Sequence, residues 1–208
     1  MTKIWTASAA PAEEQIDEIA QTLRRGGVVL LPTDTIYGLH ALANDARANE
    51  RIAGMKGRDA AKAFVVIGAS AKQLEEIGAL LTVAARDAVA QLWPGPLTAI
   101  VPLRHAIAAS RGAMTIAMRV PALDWLRSLL EITGPLTSTS ANVSGDTPAS
   151  DPKRLSSDLQ ESLDGILDAG DLHGQPSTIV DFTGDPKVIR EGESLFTQKV
   201  RKTLRKSL

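Results

Sequence analysis

The chain has no cysteine. Disulfides, thiol nucleophiles and cysteine-ligated metals are therefore excluded. Aromatic residues make up only 3% of its 208 positions, against 44% hydrophobic residues in all. Its core must be packed from Ala, Val, Leu and Ile. Charge of either sign is not in excess: 23 Lys and Arg meet 24 Asp and Glu, a formal net charge of -1. That balance lacks the basic excess of a dedicated nucleic-acid binder, though a local patch is compatible with it. No apolar run approaches the length of a membrane span, and the opening MTKIWTASAAPAEEQ has no long apolar segment before it turns acidic. The expectation is a cytoplasmic protein without a membrane segment, folded as one domain with a substantial core.

The three His residues are scattered without partners for a nucleophilic triad. No metal-ligand spacing appears, nor a phosphate-binding or dinucleotide glycine fingerprint. What is present is an alternation of short apolar runs and amphipathic segments. Ile16, Ile19, Ala20 and Leu23 fall at helical spacing within Pro11 to Arg25, and Gly26-Gly27 ends that helix. Val28 to Leu31, Phe64 to Ile67, Leu97 to Leu103, Thr115 to Met118, Gly165 to Asp168 and Ser177 to Phe182 read as strands, with Lys187 to Arg190 as a hairpin partner of the last. Asp45 to Met55, Ala71 to Gly78, Val83 to Leu92 and Leu123 to Ile132 read as helices. Asp151-Pro152 opens another, expected to run to about Leu163. The basic segment Ser194 to Lys206 closes the pattern as an amphipathic helix, and its cations leave room for a weak RNA contact.

Polar groups collect where the apolar runs end. Thr33, Asp34, Thr35, Tyr37 and Gly38 follow one strand, and ligands of α/β sheets gather at such ends. Thr137, Ser138, Thr139, Ser140, Asn142 and Ser144 put six small polar groups within eight positions. Such groups favour loops and caps, and can close around a ligand or serve only as a linker. Lys56, Arg58, Lys62, Arg119 and Arg190 supply cations. Arg119 closes an apolar strand, where a guanidinium needs a partner, either a bound anion or a structural carboxylate. The polar strand ends and the cations suit an anionic ligand and a phosphoryl-type transition state, which needs positioning and electrostatics more than covalent chemistry.

In order, LLPTDTIYGL, MKGR, LWPGPLT, TIAMRVPA, STSANVSG, STIVDF and VIREGE resemble the YrdC-like family of threonylcarbamoyl-AMP synthases, from about Gly26 to Gly192. The family's Lys-x-Arg and Ser-x-Asn correspond to Lys56 with Arg58 and Ser140 with Asn142. The resemblance implies a twisted, mixed and largely antiparallel α/β sheet with flanking helices around a large concave cavity, in the short, single-domain form. It implies that threonine, bicarbonate and ATP give threonylcarbamoyl-AMP and pyrophosphate. A partner transferase then passes the group to position 37 of tRNA. It places Thr35, Ser138 and Ser177 on threonine, with Arg119 on its carboxylate. It places Lys56, Arg58, Lys62, Thr115, Ser140, Asn142 and Arg190 on ATP, of which Lys56, Arg58, Ser140 and Asn142 would be catalytic. Mg2+ would arrive with the triphosphate, and no metal site belongs to the protein itself. The chain departs from the family pattern at Asp59 (usually Pro), at Ile67 (His in longer members) and at His40 (usually small). A non-enzymatic module holding double-stranded RNA or tRNA, and an adenylating enzyme for another amino acid, are the alternative readings.

Overall fold

A computed structural model describes residues 1–57, 62–141 and 150–205. The chain starts with β1 (Lys3–Thr6), α1 (Glu13–Arg24), β2 (Val29–Leu31) and β3 (Gly38–Leu42). Then come α2 (Ala46–Met55), β4 (Val65–Ile67), α3 (Ala71–Glu76), α4 (Val83–Leu92) and β5 (Leu97–Pro102). The middle of the chain supplies β6 (Thr115–Arg119), α5 (Asp124–Thr133) and β7 (Leu136–Ser140). The last elements are α6 (Ser157–Ser162), β8 (Gly165–Asp168), β9 (Thr178–Asp181), β10 (Lys187–Arg190) and α7 (Ser194–Leu204). The strands form one mixed sheet in the order β1-β8-β2-β3-β7-β4-β6-β5-β9-β10. The α/β class with a mixed sheet is as expected.

Two segments differ from the sequence expectation. Gly38–Leu42 is a central strand, antiparallel to both β2 and β7. Its glycine and alanine carry little strand propensity, and the polar cluster before it reads as the start of a loop. Asp151 to Leu163 is not one helix. Asp151 caps a single 3-10 turn at Pro152–Arg154 by accepting from the Lys153 N–H. Leu155 is extended, and Ser156 caps a second start by accepting from Leu159 N–H. Leu155, Leu159 and Leu163 are all buried in the core, so their helical spacing is satisfied by two short pieces.

The two sheet faces differ. Side chains alternate between faces along a strand. Leu30, Leu39, Ala41, Val66, Val101 and Val180 point to one face, where α2, α4 and α7 cover them with Ile52, Val89, Leu92, Val200 and Leu204. On the other face Val29, Leu31, Ile67 and Leu136 pack under α1 and α5, against Ile19, Leu23, Leu126, Leu129 and Leu130. That cover extends over only part of the second face. The uncovered part carries small or polar residues: Gly38, Ser138, Ser140, Ala117 and Thr115. Ser138, Val65, Ala117 and Ile100 are cross-strand partners in one row over four strands. Short side chains there leave the face hollow.

Candidate active site

The hollow is a cavity of about 560 Å³. Its wall includes Thr33, Thr35, Tyr37 and Gly38 from the segment between β2 and β3. Ser138, Thr139 and Ser140 come from β7, Thr115 and Arg119 from β6, Thr98 from β5, Ser177 from the residue just before β9 and Arg190 from the end of β10. Lys62 lies at the rim. The residues that the resemblance assigns to threonine (Thr35, Arg119, Ser138, Ser177) and four of those assigned to ATP (Lys62, Thr115, Ser140, Arg190) thus share one cavity.

Its polar end is a connected network. Arg119 is 6% exposed. It donates from Nη2 to the Asp34 carboxylate, from Nη1 to Thr35 Oγ1 at 2.9 Å and from Nε to the Gly95 carbonyl at 3.2 Å. Thr35 Oγ1 is 2.9 Å from Thr33 Oγ1, which donates to the Ile36 carbonyl at 2.7 Å. Arg119 is therefore tied to a structural carboxylate. A guanidinium has five N–H donors, so two remain for a ligand. Opposite, Arg190 donates to the Ser177 carbonyl at 2.9 and 3.1 Å and to Ser177 Oγ at 3.1 Å. Ser177 Oγ in turn meets Thr98 Oγ1 at 2.7 Å. Burial, and then the positive charge of Arg119, hold the Arg190 guanidinium below its usual pKa range. Two guanidiniums and one carboxylate leave this end of the cavity electropositive, which favours an anion.

Lys56 is placed differently from a rim cation. It is 3% exposed, caps the C-terminus of α2 and donates from Nζ to the Ser140 carbonyl at 2.5 Å. It stands behind the Ser140 wall and outside the lining. Arg58, Asp59 and Asn142 lie outside the described residues.

Sequence reasoning missed three features. Asp34 was noted only within its polar cluster, yet it is the counter-ion of Arg119. Thr98 meets Ser177 only because β5 pairs with β9 in parallel, bringing together residues 79 positions apart. The segment before β9 closes on the segment after β2. Tyr37 Oη donates to the Gly170 carbonyl at 2.9 Å and accepts from Ala169 N–H at 2.8 Å, and burial pushes its pKa up to about 12. A Cβ at Gly174 would come within 1.8 Å of the Thr35 carbonyl oxygen, so only glycine permits this approach.

His40, one of the departures from the family pattern, has its own consequence. It is fully buried on the cavity face of β3. Burial pushes its pKa down to about 4, opposed in part by the Gly38 backbone. The folded protein thus binds this proton less tightly than the unfolded chain. Stability is fully present above about pH 6.5 and falls as pH drops toward 4, by up to about 3 kcal/mol. Denaturant unfolding between pH 7 and 4 should show this loss, and His40→Leu should flatten it. An unchanged slope in that variant would assign the acid sensitivity elsewhere.

Fold and cavity together define an α/β protein with an electropositive pocket on one sheet face. The chain belongs to the Sua5/YciO/YrdC family, whose model, described as "Telomere recombination", matches residues 21–192. It is 31% identical over 208 residues to the threonylcarbamoyl-AMP synthase of Pyrococcus abyssi, covering 98% of this chain and 61% of that protein. The threonylcarbamoyl-AMP synthase of Thiobacillus denitrificans is 35% identical over 175 residues, or 81% of this chain and 90% of that one. Among solved structures, P. abyssi Sua5 complexed with L-threonine matches with a TM-score of 0.87 at 32% identity, over 96% of this chain and 61% of that one. E. coli YciO matches with a TM-score of 0.82 at 28% identity, over 92% and 96% of the two chains. The chain thus spans about three fifths of the P. abyssi protein and nearly all of YciO. Among the described residues no helix is long and apolar enough to cross a membrane.

Proposed function

We propose that this protein makes threonylcarbamoyl-AMP from L-threonine, bicarbonate and ATP, releasing pyrophosphate, as its curated relatives' names suggest. The observation that carries the reading is the cavity itself. It joins an electropositive hydroxyl-rich end, suited to an amino acid, to a floor of Thr115, Ser138 and Ser140 with Lys62 at the rim, suited to a nucleotide. The amino-acid carboxylate pairs with the free N–H groups of Arg119, and Arg190, which the resemblance gives to ATP, adds its charge at the same end. Thr35, Ser138 and Ser177 offer hydroxyls to the amino acid's polar groups.

Bicarbonate takes up a proton and loses water to give carbon dioxide; the neutral amine of threonine adds to it and gives up one N–H proton to solvent, leaving a carbamate. One carbamate oxygen attacks the α-phosphorus of ATP, the bond to the bridging oxygen breaks, and pyrophosphate leaves. Both reactants are anions, so the cavity's work is to hold them together against repulsion. Arg119 and Arg190 neutralise one end and Lys62 stands at the other. The cavity lining among the described residues carries no carboxylate. Magnesium would be held by the phosphate oxygens of ATP and by water, where it offsets triphosphate charge. The product would serve a transferase acting on tRNA.

The test is pyrophosphate release with ATP and bicarbonate, screened against the twenty amino acids. Release that depends on threonine above the others is expected. Release with another amino acid would redirect the substrate, and none with any would remove the synthase reading.

A further inference from the structure

Most buried polar side chains around the cavity are engaged in hydrogen bonds, but neither ring nitrogen of His40 makes a hydrogen bond of proper geometry among the described residues; the Gly38 backbone is near enough only to offset part of the effect of burial. An imidazole with 0% exposure and neither nitrogen satisfied is costly to keep in a core. Its position links it to the cavity. In the antiparallel pairing of β3 with β7, His40 lies directly opposite Ser138, a residue of the cavity wall. Such partners share a face, with Cβ atoms about 5 Å apart. The ring also leans along its own strand over Gly38, another wall residue. A Cβ built on Gly38 would meet His40 Cε1 at 2.9 Å and Nε2 at 3.3 Å. The imidazole therefore takes the space of the side chain that Gly38 lacks, between the packed core and the cavity floor.

We propose that His40 is a positioning residue for amino-acid binding that acts through Ser138: with ligand bound, the Ser138 hydroxyl donates a hydrogen bond to one imidazole nitrogen, which leaves the Ser138 oxygen as an acceptor facing the cavity. This rests on the reading that the cavity binds an amino acid. A serine hydroxyl can otherwise rotate and offer either its proton or its lone pairs. A neutral imidazole behind it removes that freedom, and selects a ligand N–H over a ligand carboxylate at this spot. The carboxylate is then left to the arginine end. A turn of the ring from Gly38 toward its cross-strand neighbour makes the contact, and hydrogen bonds of this kind often tighten only when a site is filled.

A double-mutant cycle in the full chain tests this, with L-threonine and ATP affinities measured by calorimetry. His40→Leu keeps the ring's apolar bulk and removes both nitrogens. It should weaken threonine about tenfold, the loss of one hydrogen bond, and leave ATP affinity unchanged. In a Ser138→Ala background the same substitution should have no further effect on threonine. His40→Asn, which keeps an acceptor, should recover part of the loss. An equal loss in both backgrounds, or none in either, overturns the proposal. If His40→Leu does not fold, the ring nitrogen chemical shifts of the unsubstituted protein decide. They should move on adding L-threonine, and shifts that stay put overturn it. A parent protein that does not bind threonine overturns the amino-acid reading as well, whereas additive losses in a parent that does bind it overturn only this role for His40.

Discussion

Arg119→Lys is expected to raise the amino-acid KM by about 10- to 100-fold while changing the ATP KM much less. Arg119 holds Asp34, Thr35 and the Gly95 carbonyl at once and keeps two further N–H groups for a carboxylate. A lysine retains the charge and can satisfy Asp34, but a point charge cannot replace the fork. Each charge-assisted hydrogen bond lost is worth about 1.5–3 kcal/mol, which sets the scale. Because Asp34 keeps a partner, the variant should fold, with a stability loss of about 1–3 kcal/mol from the groups lysine leaves unmatched. Arg119→Ala should be worse for folding, since it strands the partly buried Asp34 carboxylate and leaves the Thr35 and Gly95 acceptors without their donor, at up to about 3–5 kcal/mol. Steady-state kinetics with each substrate varied, beside denaturant unfolding, reads both quantities. Equal rises in the two KM values would show that Arg119 serves the frame and does not contact the amino acid.

Lys56→Met should slow turnover by about 10- to 100-fold, the scale of one charge-assisted hydrogen bond lost from the frame of the site. The structure gives this effect a route. The ammonium stands behind β7 and grips the Ser140 carbonyl, at the point where the chain leaves the strand toward residues 142–149. Methionine keeps the stem's volume and loses both the charge and that hydrogen bond. Threonine affinity should change less, because Thr35, Arg119 and Ser177 lie on other segments and Ser138 sits two residues inside β7, held by its pairing with β3 and β4. Pyrophosphate release with threonine binding measured alongside checks this. Turnover like the parent's would make Lys56 a buried helix cap with no part in the chemistry.

Periodicity was enough for the elements whose burial follows a simple pattern. The helix α1 shows its buried Ile19, Ala20 and Leu23 at helical spacing, and the hairpin of β9 and β10 pairs across its Gly-Asp-Pro turn. It failed where residues are small or where a cap interrupts a pattern. Gly38–Leu42 sits mid-sheet without strand-like composition, and Ser156 splits a leucine stripe that spacing alone reads as continuous. The candidate site was legible mainly through ordered motifs. Thr35, Ser138, Ser177, Arg119 and Arg190 come from five distant segments, and only sheet register brings them to one cavity. Partnerships inside the site were not legible at all. Asp34 on Arg119 and Thr98 on Ser177 depend on how strands pair, and His40, visible in sequence only as a departure from the family pattern, gives no sign there of its burial opposite Ser138.

The central claim is that one cavity joins an amino acid, carbon dioxide and the adenylate of ATP. Incubation with isotope-labelled bicarbonate, L-threonine and ATP, followed by chromatography and mass spectrometry, measures it directly. The account predicts label in a product that also contains AMP and threonine, formed in step with pyrophosphate and absent when threonine is omitted. Pyrophosphate release without label in an AMP adduct, or an adduct that forms without threonine, would contradict it.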